Sequence, residues 1–99
     1  MQNVTLIERI WQKTKDLELA AAVGDWERAA QLADERSPLL TALGAQPPRD
    51  VMARLREIHD IDRRIFENAR VAQQELGAEY QASMQASRNA GRYLSVALG

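Results

Sequence analysis

The dipeptide Gly24-Asp25 lies between two stretches of helical periodicity, and it constrains the fold more than any other feature of the sequence. Glycine adopts the left-handed conformation at the end of a helix at little cost, and an aspartate side chain can accept hydrogen bonds from the first free amides of the next helix. A connection this short predicts two antiparallel helices. Trp26 follows in the first turn of the second helix, where its ring is expected to pack back on the first.

The two helices of this hairpin are predicted at about residues 4–23 and 26–43. In the first helix, positions three or four apart form one face that is apolar except for Thr14 in its middle: Ile7, Ile10, Thr14, Leu17, Ala21. The second contains Pro38, which removes a backbone donor and crowds the carbonyl four residues earlier. We therefore predict a kink near residues 34–38, with a new helix start capped by Ser37 as the alternative.

A third segment, residues 49–93, follows Gly44 and Pro47-Pro48 and contains no proline. Positions three or four apart form one face, which is strongly apolar from Val51 to Leu76 and more polar beyond. This pattern predicts one long helix of about 65 Å, against about 30 Å for each hairpin helix. The uncovered end either projects and finds a partner, or folds back at a hinge at Gly77. Glycine alone does not break a helix, so projection is favoured.

Asp62 interrupts the apolar stripe of the third segment. A carboxylate at a core position is stable only when a polar or charged partner compensates for its burial. We predict that Asp62 pairs with Arg36 across the bundle and fixes the register of the helices.

Length and composition fit these patterns. The chain has 99 residues, 45% of them hydrophobic and 27% charged, which predicts a single all-α domain over residues 1–99. The expected architecture is an elongated bundle of three to four helices, in which an antiparallel hairpin packs on a long third helix.

The net charge is -1 and basic residues are not clustered, which argues against nucleic acid as a partner. Cysteine, a signal peptide and a membrane-spanning stretch are all lacking, so a cytoplasmic location without membrane insertion is expected.

The sequence offers few candidates for catalytic or metal-binding residues. His59 is the only histidine, and the carboxylates Glu57 and Asp60 do not complete the glutamate and Glu-x-x-His pattern of ferritin-like metal sites. The segment from Leu55 to Ile65 is similar to the opening of helical chorismate mutases, but no lysine follows Lys15 to help bind a dicarboxylate. We expect no enzyme activity, no metal and no cofactor.

The hairpin also resembles the signature of the FliT-type flagellar export chaperones. The residues that carry the resemblance there are Gly24-Asp25-Trp26, Leu32, Asp34-Glu35-Arg36 and Leu39-Leu40. The third helix of that family is resembled by Ile58, Asp60-Ile61-Asp62 and Ile65. Its basic and aromatic C-terminal stretch is resembled by Arg88 and Tyr93. The chain departs from the family pattern in Pro38 and in ending at Gly99, which is early for a family whose final helix can fold back and mask the binding surface.

The resemblance implies a cytoplasmic chaperone that binds the filament-cap protein FliD and keeps it unassembled until export through the flagellar type III apparatus. In some relatives it also implies docking on the export gate FlhA or on the flagellar master regulator. The periodicity independently suits recognition of a partner helix. We place the partner-binding face on the end of the second helix and the long third helix: Leu39, Leu43, Phe66, Leu76, Tyr80, Met84.

An alternative function accounts for the same long helix. A non-enzymatic coiled-coil adaptor or dimerisation module without an export role would bury the uncovered stripe against a second copy as a homodimer.

Overall fold

Four α-helices make up most of the chain: α1 (Gln2–Ala22), α2 (Trp26–Leu43), α3 (Met52–Gln74) and α4 (Tyr80–Leu98). A short 3₁₀ helix, Arg49–Val51, precedes α3. The computed structural model describes residues 2–74 and 80–98, without the side chains of residues 2–4 and 80–83. These residues contain no β-strand, so the predicted all-α class is confirmed.

The connection between α1 and α2 has the predicted chemistry. Gly24 has a φ of 75° and donates to the carbonyl of Ala21, while the amide of Asp25 donates to the carbonyl of Ala20 over 2.8 Å. These two bonds form a Schellman motif, which satisfies carbonyls at the end of α1. The Asp25 side chain then accepts a hydrogen bond from the amide of Arg28 at 3.1 Å and caps α2. One pair of residues therefore ends one helix and begins the next.

Helix α2 continues through Pro38, so no new helix begins at Ser37. Pro38 is exposed, and the ring can be accommodated on the solvent side of a helix whose other face is packed. Gly44, with a φ of 90°, ends α2. The kink near residues 34–38 stays a prediction.

The helices form a four-cornered bundle with dimensions of 50 × 19 × 19 Å. Helix α1 packs on α2 and α3, and α4 packs on the same two helices from the other side. The order around the bundle is therefore α1, α2, α4, α3, and α2 and α3 face each other across a diagonal. Contacts between residues 13 and 35, and between residues 73 and 87, show that α1 and α2 are antiparallel and that α3 and α4 are antiparallel.

The apolar core consists of two clusters. The corner cluster lies at the hairpin end and includes residues of all four helices: Leu17, Trp26, Ala29, Ala33, Ile65, Ala69, Ala90, Tyr93. The opposite cluster joins α1, α2, the 3₁₀ helix and α3: Ile7, Ile10, Leu39, Leu43, Val51, Ile58. Among residues 84–98, α4 contributes buried side chains only to the corner cluster. Trp11 packs half-buried at the edge of both clusters, with the Arg54 guanidinium 4.1 Å from its ring centroid.

The prediction of one continuous third helix over residues 49–93 was wrong. Helix α3 ends at Gln74, and α4 packs back against α2 and α3 instead of projecting. The physical reason is that residues 84–98 have their own small apolar face, including Ala90 and Tyr93, which would stay in water on a projecting helix. The predicted hinge, Gly77, lies outside the described residues.

Candidate functional site

A polar layer separates the two core clusters and receives one residue from each helix: Thr14, Arg36, Asp62, Tyr93. Arg36 is buried, and its Nη1 donates to Thr14 Oγ1 and to Asp62 Oδ1, each over 2.9 Å. Thr14 Oγ1 in turn donates to the carbonyl of Ile10 at 2.8 Å. The predicted pairing of Asp62 with Arg36 is therefore confirmed, and it connects α2 to α3 across the diagonal.

Tyr93 anchors α4 to the rest of the bundle. Its side chain is 0% exposed, and its ring centroid lies 5.7 Å from that of Trp26 and 6.1 Å from that of Phe66. Both ring pairs are tilted, an arrangement that aromatic side chains prefer to a flat sandwich. Burial raises the pKa of the Tyr93 hydroxyl, the Asp62 carboxylate raises it further, and the Arg36 charge opposes the shift. The hydroxyl is thus neutral at physiological pH.

Small side chains let α4 approach α3 closely. Ala90 is fully buried, and a Cβ on Gly91 would lie 3.2 Å from Gln73 Nε2, closer than most side-chain contacts. The hydroxyl of Ser87 donates to the main-chain carbonyl of Gln73 at 2.7 Å and so satisfies one carbonyl of the last turn of α3. Tyr93 is therefore the one large side chain that α4 buries completely among residues 84–98.

The predicted contact residues are not brought together on one open surface. Leu39 and Leu43 lie buried in the opposite cluster, whereas Phe66 packs half-buried against the corner cluster. Met84 is half-buried on α4. Tyr80 is the first residue of α4, its side chain is not among those described, and Leu76 lies outside the described residues. Partner binding by these six residues stays a prediction.

Three exposed large apolar side chains near the hairpin end were not predicted from the sequence, and they lie in two separate grooves. Leu19 is 68% exposed, Val23 is 80% exposed and Val71 of α3 is 56% exposed. Leu19 and Val23 are four residues apart and lie off the apolar stripe of α1, which is the signal that could have identified them. Val71 lies in the other groove, which also borders Ala22 and Trp26.

The polar side chains outside the polar layer lie mainly at the surface. No group of three or more acidic or histidine side chains in the part of the chain that the structure covers could hold a metal ion. His59 is exposed. A shallow groove on α3 is bordered by charged side chains alone: Asp60, Arg63, Arg64, Glu67. Arg64 there lies 3.6 Å from Glu18 of α1, a distance typical of a surface ion pair.

None of the helices in the described part of the chain is long and apolar enough to cross a membrane. The fold defines a class of protein: a small helical bundle in which α4 covers an apolar face of α2 and α3.

Comparison with known proteins identifies the family. The model of the family described as flagellar protein FliT matches residues 4–95, nearly the whole chain. The chain therefore belongs to the FliT family, which implies a flagellar export chaperone; it is a chaperone family, not one known for enzymes. Neither the curated proteins nor the solved structures that were compared gave a match.

Proposed function

We propose that this protein is a cytoplasmic chaperone that binds the filament-cap protein FliD, keeps it unassembled and delivers it to the flagellar type III export apparatus. The observation that carries the proposal is the family match over residues 4–95. Docking on the export gate FlhA forms part of the proposal, because a chaperone that delivers its client must contact the apparatus that exports it.

The arrangement of α4 supports a specific form of this proposal. The face of α2 and α3 beneath α4 contains aromatic and small apolar side chains, including Trp26, Ala29 and Phe66. A face of this kind suits the apolar side of an amphipathic client helix. Because α4 occupies it in the structure, we propose that the client and α4 compete for it, so that α4 masks the face until the client arrives.

The first experiment is co-purification of the full chain with FliD, followed by light scattering of the purified complex. A complex of defined stoichiometry supports the chaperone function. Recovery of the protein alone, as a stable dimer, supports the dimerisation module instead. The long uncovered helix that favoured that alternative is not present, but the exposed side chains of Leu19 and Val23, which border one groove, offer a different apolar surface for self-association.

We also propose that Leu76, Tyr80 and Met84 contact the client where α3 gives way to α4. The test is the double variant Tyr80→Ala with Met84→Ala, which is expected to weaken the affinity for FliD about tenfold, as loss of two apolar contacts would. Met52→Ala is the matched control, since Met52 is a partly exposed methionine at the far end of α3. An unchanged affinity in the double variant would place the client elsewhere.

A further inference from the structure

Tyr93 has one unusual property for a core anchor. It is the largest fully buried side chain among the residues described, yet its hydroxyl is buried without a hydrogen-bond partner in that part of the chain. Buried tyrosine hydroxyls usually find a partner, because water is lost on burial and nothing else replaces it. A phenylalanine would fill the same space between Trp26 and Phe66 without this penalty.

The nearby polar groups do not satisfy the hydroxyl. Asp62 and Arg36 lie close enough to influence it electrostatically, but Asp62 Oδ1 accepts from Arg36 and not from Tyr93. Arg36 uses its Nη1 for both Thr14 and Asp62, and its own Nε is also buried without a partner. In the docked position of α4 the Tyr93 hydroxyl is therefore buried and unpaired among the described residues, and the neighbouring polar layer provides no donor or acceptor paired with it.

The two parts of the Tyr93 side chain act in opposite directions. The ring packs against Trp26 and Phe66 and holds α4 on the bundle. The hydroxyl regains water when α4 moves away, so its hydration favours separation. Ala90 is small, and Leu94, Val96 and Ala97 of α4 are only partly buried against the corner cluster, so Tyr93 is the largest single apolar anchor among residues 84–98.

We propose that the Tyr93 hydroxyl is a built-in destabilising group that lowers the free energy needed to detach α4 from α2 and α3. The hydroxyl raises the fraction of molecules in which α4 is detached, while the ring keeps the docked state the more populated one. The role of opening in client binding rests on the proposed function, whereas the effect of the hydroxyl on α4 does not depend on it.

The test is the variant Tyr93→Phe in the full chain, studied by hydrogen exchange with mass spectrometry. Exchange of amides in residues 84–98 is expected to slow roughly tenfold, because removing an unpaired buried hydroxyl stabilises the docked state by about that factor in the equilibrium constant. The matched control is Tyr93→Leu, which removes the ring as well and is expected to speed exchange in the same residues. Equal or faster exchange in Tyr93→Phe would overturn the inference, since it would mean that the hydroxyl is satisfied in the docked state.

Measuring the affinity of Tyr93→Phe for FliD distinguishes the role of the hydroxyl from the proposed competition between client and α4. If the client competes with α4, Tyr93→Phe should bind FliD about tenfold more weakly, in proportion to the smaller open fraction. Slower exchange together with unchanged affinity for FliD supports the role of the hydroxyl and refutes competition between client and α4. Unchanged exchange refutes the role of the hydroxyl, whatever the affinity for FliD.

Discussion

The Arg36–Asp62 pair offers the most decisive test of how the bundle is held together. The variant Asp62→Leu leaves the Arg36 charge in a site where its side chain is only 5% exposed, with Thr14 as its remaining partner. Removing one member of a buried pair costs about 3–5 kcal/mol. The Asp62 side chain is 18% exposed, so part of its charge is already solvated and we expect a smaller loss, about 2–3 kcal/mol.

The assay is urea unfolding followed by far-ultraviolet circular dichroism, with thermal unfolding as a second measure. A loss of about 2–3 kcal/mol corresponds to a fall in Tm of roughly 10–20 °C for a domain of this size. Two further variants complete a double-mutant cycle with Asp62→Leu: Arg36→Met, and the two changes together. The double variant replaces the pair by apolar side chains and should lie within about 1 kcal/mol of the wild type.

The refuting result is specific. If Asp62→Leu lost less than about 0.5 kcal/mol, or if the double variant lost as much as the two single variants added together, the energies of the two residues would not be coupled. The pair would then be a surface contact with little effect on stability, and the polar layer would have no role in fixing the helices.

Three further predictions concern single positions. Pro38→Ala should stabilise the protein by about 1–2 kcal/mol in urea unfolding, because it restores a donor inside α2 at a small entropic loss, and a destabilised variant would contradict this. Gly24→Ala should destabilise it by about 1 kcal/mol, since φ is 75° there; an unchanged midpoint would argue against the left-handed helix end in solution. The hydrogen bond from Lys13 and then its charge hold the pKa of Glu35 below its ordinary value of 4.5, so the stability from this pair is present above that pH and lost as pH falls through the lowered pKa. Carbon-detected NMR titration of Lys13→Met should show the Glu35 pKa return toward 4.5, and no change would mean that the pair does not form.

Local signals in the sequence were sufficient for the hairpin. Gly24, Asp25 and Trp26 each have a conformational or packing preference that acts within a few residues, and the structure shows all three in the expected roles. The pairing of Asp62 with Arg36 was also predictable, because a carboxylate within an apolar stripe requires a partner and few cations lie on facing positions.

The division of the third segment into α3 and α4 was harder to predict for a physical reason. Steps of three and four along one helix face continue through residues 49–93, although the face becomes more polar beyond Leu76. Periodicity describes the face of a helix without showing where the chain turns. What decides the outcome is the face that α2 and α3 offer to Ala90 and Tyr93, and this exists only after the first three helices have packed. The burial of Leu39 and Leu43 depends in the same way on contacts with Val51 and Ile58.

The contact between Trp26 and Tyr93 also gives the protein an intrinsic optical signal. Trp26 is buried within 5.7 Å of the one tyrosine that α4 buries in its described part, whereas Trp11 lies half-buried beside Arg54, in contact with both clusters. Indole emission moves to longer wavelength when water reaches the ring, so a chain with Trp11 replaced by phenylalanine would emit from Trp26 alone. The wavelength of its emission maximum would then report the position of α4 in real time, without any attached dye.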